Sequence, residues 1–505
     1  MPPMTDNSAS RPRRQILTLT AAFLGWLFDG FEMGLFPLIG QPALKELLGA
    51  DAAAGDITKW FGAIIAVFLV GAATGGVIFG WLGDKIGRVR AMSLSIFTYA
   101  IFTGLCGFAT EAWHVAALRF VASLGMGGEW ALGVALVNEV WPGKSRALIA
   151  GLIGAAANIG YLLVALLSMV LLSFIATAKG LFLDLGLSQE LTARLLDNSA
   201  WRLLMISGAF PALLIFFIRS FVPESEKWED EKAKGSTSHW SSSDLVGVVI
   251  GCVGALAIIW AWSPIGVAPL PAIGVTFAGL AMALFGYLYP VRQYLHRAET
   301  AGSLKPGHGK DIVRKMLFGA GLASVALLGT WGSTQWAPRW VVDQFKPDPA
   351  LHAKEWTLFW LSAGAIVGTM VAALSAGRFG RRITYTALCI ASIGGALLLY
   401  QCNQGYSPFF LFSAFVAGAA TASFYGFFPL YFPELFPTAV RATGQGFAFN
   451  FGRIIAAIGG LQTATLMGFF NGSFAMAGSV MASIYLVGIG LIWLGPETKG
   501  KELPE

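Results

Sequence analysis

Two acids, Asp29 and Glu32, stand three residues apart inside an apolar stretch, 16–40. At ~1.5 Å of rise per residue, Asp29 lies about 20 Å from the start of that stretch, with Glu32 one turn further along on the same helical face. Carboxylates that close repel each other, so one of them could carry a proton. Three more ionisable residues sit in apolar stretches: Arg119 and Glu129 in 113–140, and Arg453 in 441–467. A charge in hydrocarbon costs at least ~2.5–3.5 kcal/mol, which makes each a functional candidate. Glu129 follows Gly127 and Gly128, which would let another helix approach. It could be a second proton site, a partner for Arg453, or a hydrogen-bonded structural group. Arg453 has no acid in its own stretch, and its planar fork fits a carboxylate. It is the candidate anion anchor, with a salt bridge to Glu129, Asp29 or Glu32 as the rival reading. Asn158, Tyr161, Gln335, Trp336, Tyr425 and Asn450 are polar or amphipathic groups at matching depths. They suit the orientation of a small polar solute, or plain interhelical hydrogen bonding.

The elements that must hold these residues are membrane helices. The chain of 505 residues is 56% hydrophobic and 12% charged, against about 25% charge in soluble domains. Fourteen stretches reach the length of about 20 apolar residues that a spanning helix needs: 16–40, 57–81, 89–109, 113–140, 146–177, 201–221, 245–263, 270–290, 315–338, 356–376, 383–401, 408–432, 441–467 and 474–494. The first is too long for a signal h-region and has no clear cleavage site. Lys85/Arg88/Arg90, Lys144/Arg146, the run from Arg292 to Lys315, and Arg378/Arg381/Arg382 all fall on the side of the N-terminus. The positive-inside rule makes that side cytoplasmic, with both termini there and the inner (plasma) membrane as the location. The segment 223–244 has more acids than bases, but the rule counts Lys and Arg. The Ser-rich run 235–243 reads as a flexible linker.

Composition also excludes. The net charge of +6 comes from short basic clusters between spans and does not point to nucleic acid. Cys106, Cys252, Cys389 and Cys402 lie in or at the ends of spans without zinc or redox spacing and read as packing residues. The five histidines show no metal-ligand spacing, and there is no phosphate-binding loop. An enzyme, a metal centre and ATP-driven transport are not expected; a proton gradient is the expected energy source, with no cofactor.

Three pairs of short motifs reveal a repeat. "GWLGDKIGRVR" (80–90) has a weaker echo in "GRFGRR" (377–382). "EVWPGKSR" (139–146) and "ELFPTAVR" (434–441) share E-x-x-P-x-x-x-R. "VPES" (222–225) and "GPET" (495–498) each close a span. The first two pairs keep nearly one offset; the third falls short by about the length of the polar segment 178–199, an insertion in the first half. The expected layout is therefore a six-helix bundle over 1–222, a linker over 223–314 carrying an inserted hairpin at about 245–290, and a second six-helix bundle over 315–505. Repeats of this size point to a transporter whose halves rock about a central site. Asp84, Arg88, Arg90, Glu139, Arg146, Glu434 and Arg441 are candidate gating residues. Asp84 could face a helix amino end or an Arg of the other half, and Arg88 and Arg90 could pair with Glu139. "GRFGRR" lacks the acid, so the second half is expected to rely on Glu434 and Arg441.

These residues resemble a known family. "GWLGDKIGRVR" is similar to the signature loop between the second and third helices of the major facilitator superfamily. "RFVASLGMGGEWALGVALVNEVWPGKSR" (119–146) resembles the sialate and lactate/pyruvate:proton symporters, and "FDGFE" (28–32) resembles the aromatic-acid:proton symporters. The inserted pair resembles the extra helices of fourteen-helix members. The resemblance implies a cavity lined by the first, fourth, seventh and tenth core helices, where Glu32 and Arg119 could be partners, and a gating role for the charged loop. The expectation is an all-α membrane protein of the major-facilitator fold. It would act as a monomeric proton-coupled symporter of a small organic anion, a monocarboxylate or sialate-like acid. Asp29, Glu32 or Glu129 would take the proton, and Arg119 or Arg453 the carboxylate. The alternatives are a carrier of a neutral sugar-like solute and, outside the class, a transporter-like receptor.

Overall fold

The computed structural model describes residues 10–49, 51–141, 145–262, 266–305 and 307–504, and all regular structure among them is helical. The first half contributes α1 (Ser10–Leu48), α2 (Ala54–Ile86), α3 (Arg88–Cys106), α4 (Ala112–Val140), α5 (Arg146–Asp184), α6 (Gln189–Ser207) and α7 (Leu214–Phe221). A short α8 (Glu226–Ala233) leads to the hairpin α9 (Leu245–Ala261) and α10 (Pro269–Thr300). The second half contributes α11 (His308–Trp331), α12 (Ala337–Phe345), α13 (Ala353–Phe379), α14 (Arg381–Gln401), α15 (Pro408–Thr421), α16 (Phe424–Tyr431), α17 (Arg441–Phe469), α18 (Phe474–Ala482) and α19 (Ile484–Leu491). Thirteen helical segments among the described residues are long and apolar enough to cross a membrane. The 29-residue α17 occupies the remaining expected stretch.

Helix ends depart from the hydrophobic stretches. The polar segment 178–199 is largely helical: α5 runs on to Asp184, and α6 begins at Gln189 but kinks at Asp197–Ala200, where Asn198, Ser199 and Ala200 take positive φ; Ala178, Leu196 and Ala200 close the tip between them. The sixth, twelfth and fourteenth spans are each broken, at Gly208–Leu213, Ala422–Ser423 and Ser483. The run 235–243 is ordered rather than flexible. Ser241 and Asp244 form a capping box, Trp240 stacks on Tyr294 at 4.3 Å, and Arg297 holds both the His239 carbonyl (2.7 Å) and the Asp244 carboxylate. Two tryptophans of the wider segment 223–244, Trp228 in α8 and Trp240, are buried and anchor it. Cys106 and Cys389 are buried and Cys252 partly so, but Cys402 is exposed, just beyond the end of α14.

In lipid, tight packing and polar contacts rather than hydrophobicity drive helix association. Within the first half α1 lies along α5, and α2 and α3 along α4; within the second, α11 lies along α17 and α13 along α15. The halves meet along two seams, α2 against α17 and α5 against α13 and α16. The first seam is close enough that a Cβ on Gly446 would stand 2.3 Å from the Gly76 carbonyl oxygen. The hairpin α9–α10 covers this seam: α9 packs on α2, α10 touches α11 and α17, and Tyr287 bonds Thr74 at 2.7 Å.

Candidate functional site

The repeated motifs converge at the face where α1 starts and the segment after α19 lies. Gly87 and Gly380 take φ of +112° and +96°, a left-handed turn that side chains resist, and so reset the chain between α2 and α3 and between α13 and α14. Each turn delivers an arginine. Arg88 donates to Asp84 Oδ1 (2.6 Å), to Glu139 (3.1 and 3.4 Å) and, across the seam, to the Thr438 carbonyl (2.8 Å). Arg381 grips Glu434 through Nε (2.9 Å) and Nη2 (2.6 Å). Glu224 and Glu497, from the third motif pair, accept the first backbone N–H groups of α3 and α14.

The arginines of E-x-x-P-x-x-x-R cross over. Arg441 of the second half donates to Glu139 of the first at 2.8 Å, and Arg146 of the first stands 3.6 Å from Glu434 of the second. Asp84 caps the amino end of α17, accepting from Ala442 N (3.2 Å), Thr443 N (2.8 Å) and Thr443 Oγ1 (2.6 Å). A carboxylate is favoured there by the free N–H groups and the helix dipole. The second half has Gly377 at the equivalent place, where a Cβ would stand 2.9 Å from that of Ala147 on α5. The second charged cluster thus centres on Glu434, with Arg381 and Arg146 rather than the expected Arg441, which pairs in the first cluster. Arg90 is a correction. It is exposed and makes no ion pair among the described residues, because two positions along a helix rotate it away from Glu139. Pro142 and Lys144 lie outside the described residues.

At mid-depth a second group bridges the halves. Trp26 of α1 meets Trp130 of α4 edge-on at 5.8 Å and Phe449 of α17 at 6.3 Å; Trp130 and Phe449 stack at 3.9 Å; Tyr425 lies 6.5 Å from Trp26. Arg453 sits 5.6 Å from the Phe449 ring centre, 5% exposed, within the fields of Asp29, Tyr425 and Tyr161. Asp29 in turn faces Glu129. Both oxygens of Asp29, both of Glu129, Arg453 Nη1 and the Tyr161 hydroxyl are buried without a hydrogen-bond partner among the described residues. Gly25 makes room for this group: a Cβ there would fall 1.6 Å from Glu129 Oε1. Towards the other face lies a small recess, a crevice lined by Asn158 and Tyr161 of the first half and by Thr330, Thr334, Gln335, Ser362 and Thr421 of the second.

Glu32 and Arg119 do pair, at 2.7 Å, but inside the first half rather than in the crevice. Arg119 is clamped between Phe36 (4.4 Å) and Phe68 (4.6 Å), and Thr103 also donates to Glu32 at 3.4 Å. The close carboxyl pair is therefore Asp29–Glu129, because Arg119 draws Glu32 away, and no Glu129–Arg453 salt bridge forms among the described residues. Asn158, Tyr161 and Gln335 reach the crevice. Trp336 does not: it donates to the Trp331 carbonyl (3.0 Å) and packs on Phe474. Asn450 is spent on the seam, donating to the Gly127 carbonyl at 3.0 Å. Sequence reasoning missed Trp26, Trp130 and Phe449, whose mid-span aromatic character was the available signal. It also missed Arg381 as a latch residue, which alignment of Gly380 with Gly87 would have exposed.

The sequence matches the family described as sugar (and other) transporter over residues 17–249 and 350–505. It is 24% identical over 469 residues to the cis,cis-muconate transport protein of Acinetobacter baylyi, covering 92% of this chain and 90% of that one. It is 28% identical over 251 residues to the sialic acid transporter NanX of Escherichia coli, covering 48% and 54%. The proton:xylose symporter XylE superposes with a TM-score of 0.69 over 98% of both chains at 16% identity. With the repeated bundles and seam-spanning charges in place, this chain belongs to the sugar (and other) transporter family and is a multi-pass membrane transporter of the major-facilitator fold, not an enzyme.

Proposed function

We propose that the protein is a proton-coupled symporter of a small organic anion, working as a monomer by alternating access in the inner membrane with both termini in the cytoplasm. The observation that carries the reading is Arg453, a buried guanidinium with an unpartnered nitrogen, within the field of Asp29, which in turn faces Glu129; no hydrogen-bond donor among the described residues satisfies either carboxyl. Two facing carboxylates repel; one proton lets the first donate to the second. That proton also weakens the hold of Asp29 on Arg453, freeing the fork to take a substrate carboxylate in two parallel hydrogen bonds. Proton and anion thus enter together, and the site's net charge is unchanged. The seam on the basic face then opens to release both. The proton gradient supplies the drive, and no cofactor is required. Support comes from the relatives: muconate and sialic acid, after which two of them are named, are carboxylates.

The polar lining of the crevice, Asn158, Gln335 and Ser362 among it, favours a second reading, a carrier of a neutral polyol. Uptake by proteoliposomes with acid outside separates the two. A panel of monocarboxylates, sialic acid, aromatic acids and neutral hexoses is offered, with lumenal pH followed. The anion reading expects carboxylates to accumulate with proton entry, and Arg453→Lys, which cannot offer the bidentate fork, to lose at least about tenfold in uptake. Accumulation of hexoses with carboxylates ignored would overturn it.

A further inference from the structure

The segment after α19 stays on the latch. Thr498 Oγ1 donates to Glu434 at 2.6 Å, and Lys499 Nζ to the Arg378 carbonyl at 2.7 Å. The chain then turns at Gly500, with φ of +77°. Beyond the turn, Arg146 of the first half donates to the Lys501 carbonyl at 3.1 Å, and Arg441 of the second half donates to the Pro504 carbonyl at 2.7 Å. Arg146 and Arg441 occupy the same place in the two E-x-x-P-x-x-x-R motifs, and each already reaches the other half's glutamate. A guanidinium has five N–H donors, and the tail carbonyls take ones that the acids leave over.

We propose that residues 498–504 are a strap across the seam, a main-chain member of the latch that holds the halves closed on this face. One end is fixed to the second half through Glu434 and Arg378. Its middle is held by the first half through Arg146, so parting the halves must break that bond. Its far end returns to Arg441, beside Glu139. The segment that follows the first half behaves alike: α8 lies against the turn Thr438–Val440 of the second half, and Trp228 donates to the Asp84 carbonyl at 2.9 Å. Both segments that leave a bundle on this face therefore cross to the opposite one. Because the strap beyond Gly500 is gripped by its carbonyls, the side chains there matter little and its path matters much. Gly500 sets that path, since a left-handed φ disfavours any residue with a Cβ. Whatever lifts the strap would ease opening on this face.

The test uses the full chain with its four cysteines replaced and Val134→Cys added. Val134 is buried on α4 between Ala131 and Asn138, whose backbone carbonyl and side chain respectively bond the second half. Maleimide labelling of this position in membranes reports opening of the seam. A chain ended after Lys499 is expected to label about tenfold faster, which corresponds to about 1.4 kcal/mol. Lys501→Ala/Glu502→Ala/Leu503→Ala, with Gly500 and Pro504 kept, should label at the full-length rate. Gly500→Val, which keeps the length but strains the turn, should move labelling the same way as truncation, and serves if the shortened chain does not accumulate. Equal labelling of the full-length, shortened and Gly500→Val proteins would overturn the strap, as would a triple-alanine chain that labels as fast as the shortened one.

Discussion

Glu139 holds an arginine from each half, Arg88 and Arg441, and Glu139→Gln isolates its charge. In the closed seam two cations, Arg88 and Arg441, face two anions, Asp84 and Glu139, and all four side chains are shielded from solvent. The Glu139 carboxylate lies 2.8 Å from Arg441 and 3.1 Å from Arg88. At an effective dielectric of 20 those contacts are worth about 6 and about 5 kcal/mol before desolvation. Gln keeps the shape and an acceptor oxygen but leaves an uncompensated positive charge in the seam. Breaking one partner of a buried pair costs about 3–5 kcal/mol, and the low end applies because Arg88 keeps Asp84 and Arg441 keeps two carbonyls. When the halves part, the arginines reach water and the penalty disappears. The equilibrium should therefore move towards the open seam by about 3 kcal/mol, or about a hundredfold. Maleimide labelling of Val134→Cys in the cysteine-free chain measures it, and the folded fraction is followed by gel filtration in detergent. Unchanged or slower labelling in a monodisperse Glu139→Gln protein would refute the view that this charge closes the seam.

Gly25→Ala should reduce coupled uptake by at least about tenfold, because the new methyl occupies the place of the Glu129 carboxyl and pushes it off Asp29. Gly133→Ala on α4, whose Cβ would meet nothing nearer than 3.4 Å, is the matched control and should transport normally; equal uptake by the two variants would remove Glu129 from the mechanism. Glu497, beyond the last span, gives a pH signature. Partial burial alone would raise its carboxyl, but the N–H groups of Arg381, Arg382 and Lys499 and the charge of Arg381 hold it below the ordinary value of 4.5. Its contribution to stability is then full above that value and is lost as pH falls through the lower, folded one. Thermal unfolding in detergent should show Glu497→Gln less stable than the parent at pH 7, with the gap closing below about pH 4.5; a constant gap would place the effect elsewhere than in the charge.

The all-helical membrane fold and most residues of the charged cluster were legible because they rest on features that repeat along the chain. Apolar length marks a span, and matched motifs mark equivalent positions. Which neighbour a side chain turns to was not legible. Asp29 and Glu32 share a face, as their spacing requires, yet Arg119 on α4 claims one and Glu129 claims the other. Arg88 and Arg90 look alike in sequence, and only one can point at Glu139. The motifs showed Arg146 and Arg441 as equivalents but not that each serves the opposite half, since a pseudo-twofold arrangement sets the two copies against each other. The order in 235–243 was hidden because its anchors, Trp240 and Asp244, touch a helix some fifty residues on.

The latch and the central group are tied by two helices that carry parts of both. On α4, Glu129 and Trp130 lie near the centre and Glu139 at the seam's charged end; on α17, Phe449 and Arg453 lie near the centre and Arg441 and Thr443 at that same end. Twelve residues separate Arg453 from Arg441, about 18 Å along the axis. Between those ends α17 is fastened to α4 by Gln445, which donates to the Ala131 carbonyl, and by Asn450, which donates to the Gly127 carbonyl. A helix transmits a shift along its length because its own hydrogen bonds resist stretching. Any movement of α17 that carries Arg453 towards a bound anion must therefore be taken up at Arg441 and at the Asp84 cap. That places the sensitivity of the seam in the registry of α17 against α4 and α2; on α2, Gly76 lies so close to Gly446 of α17 that a single added methyl there would hold the halves apart.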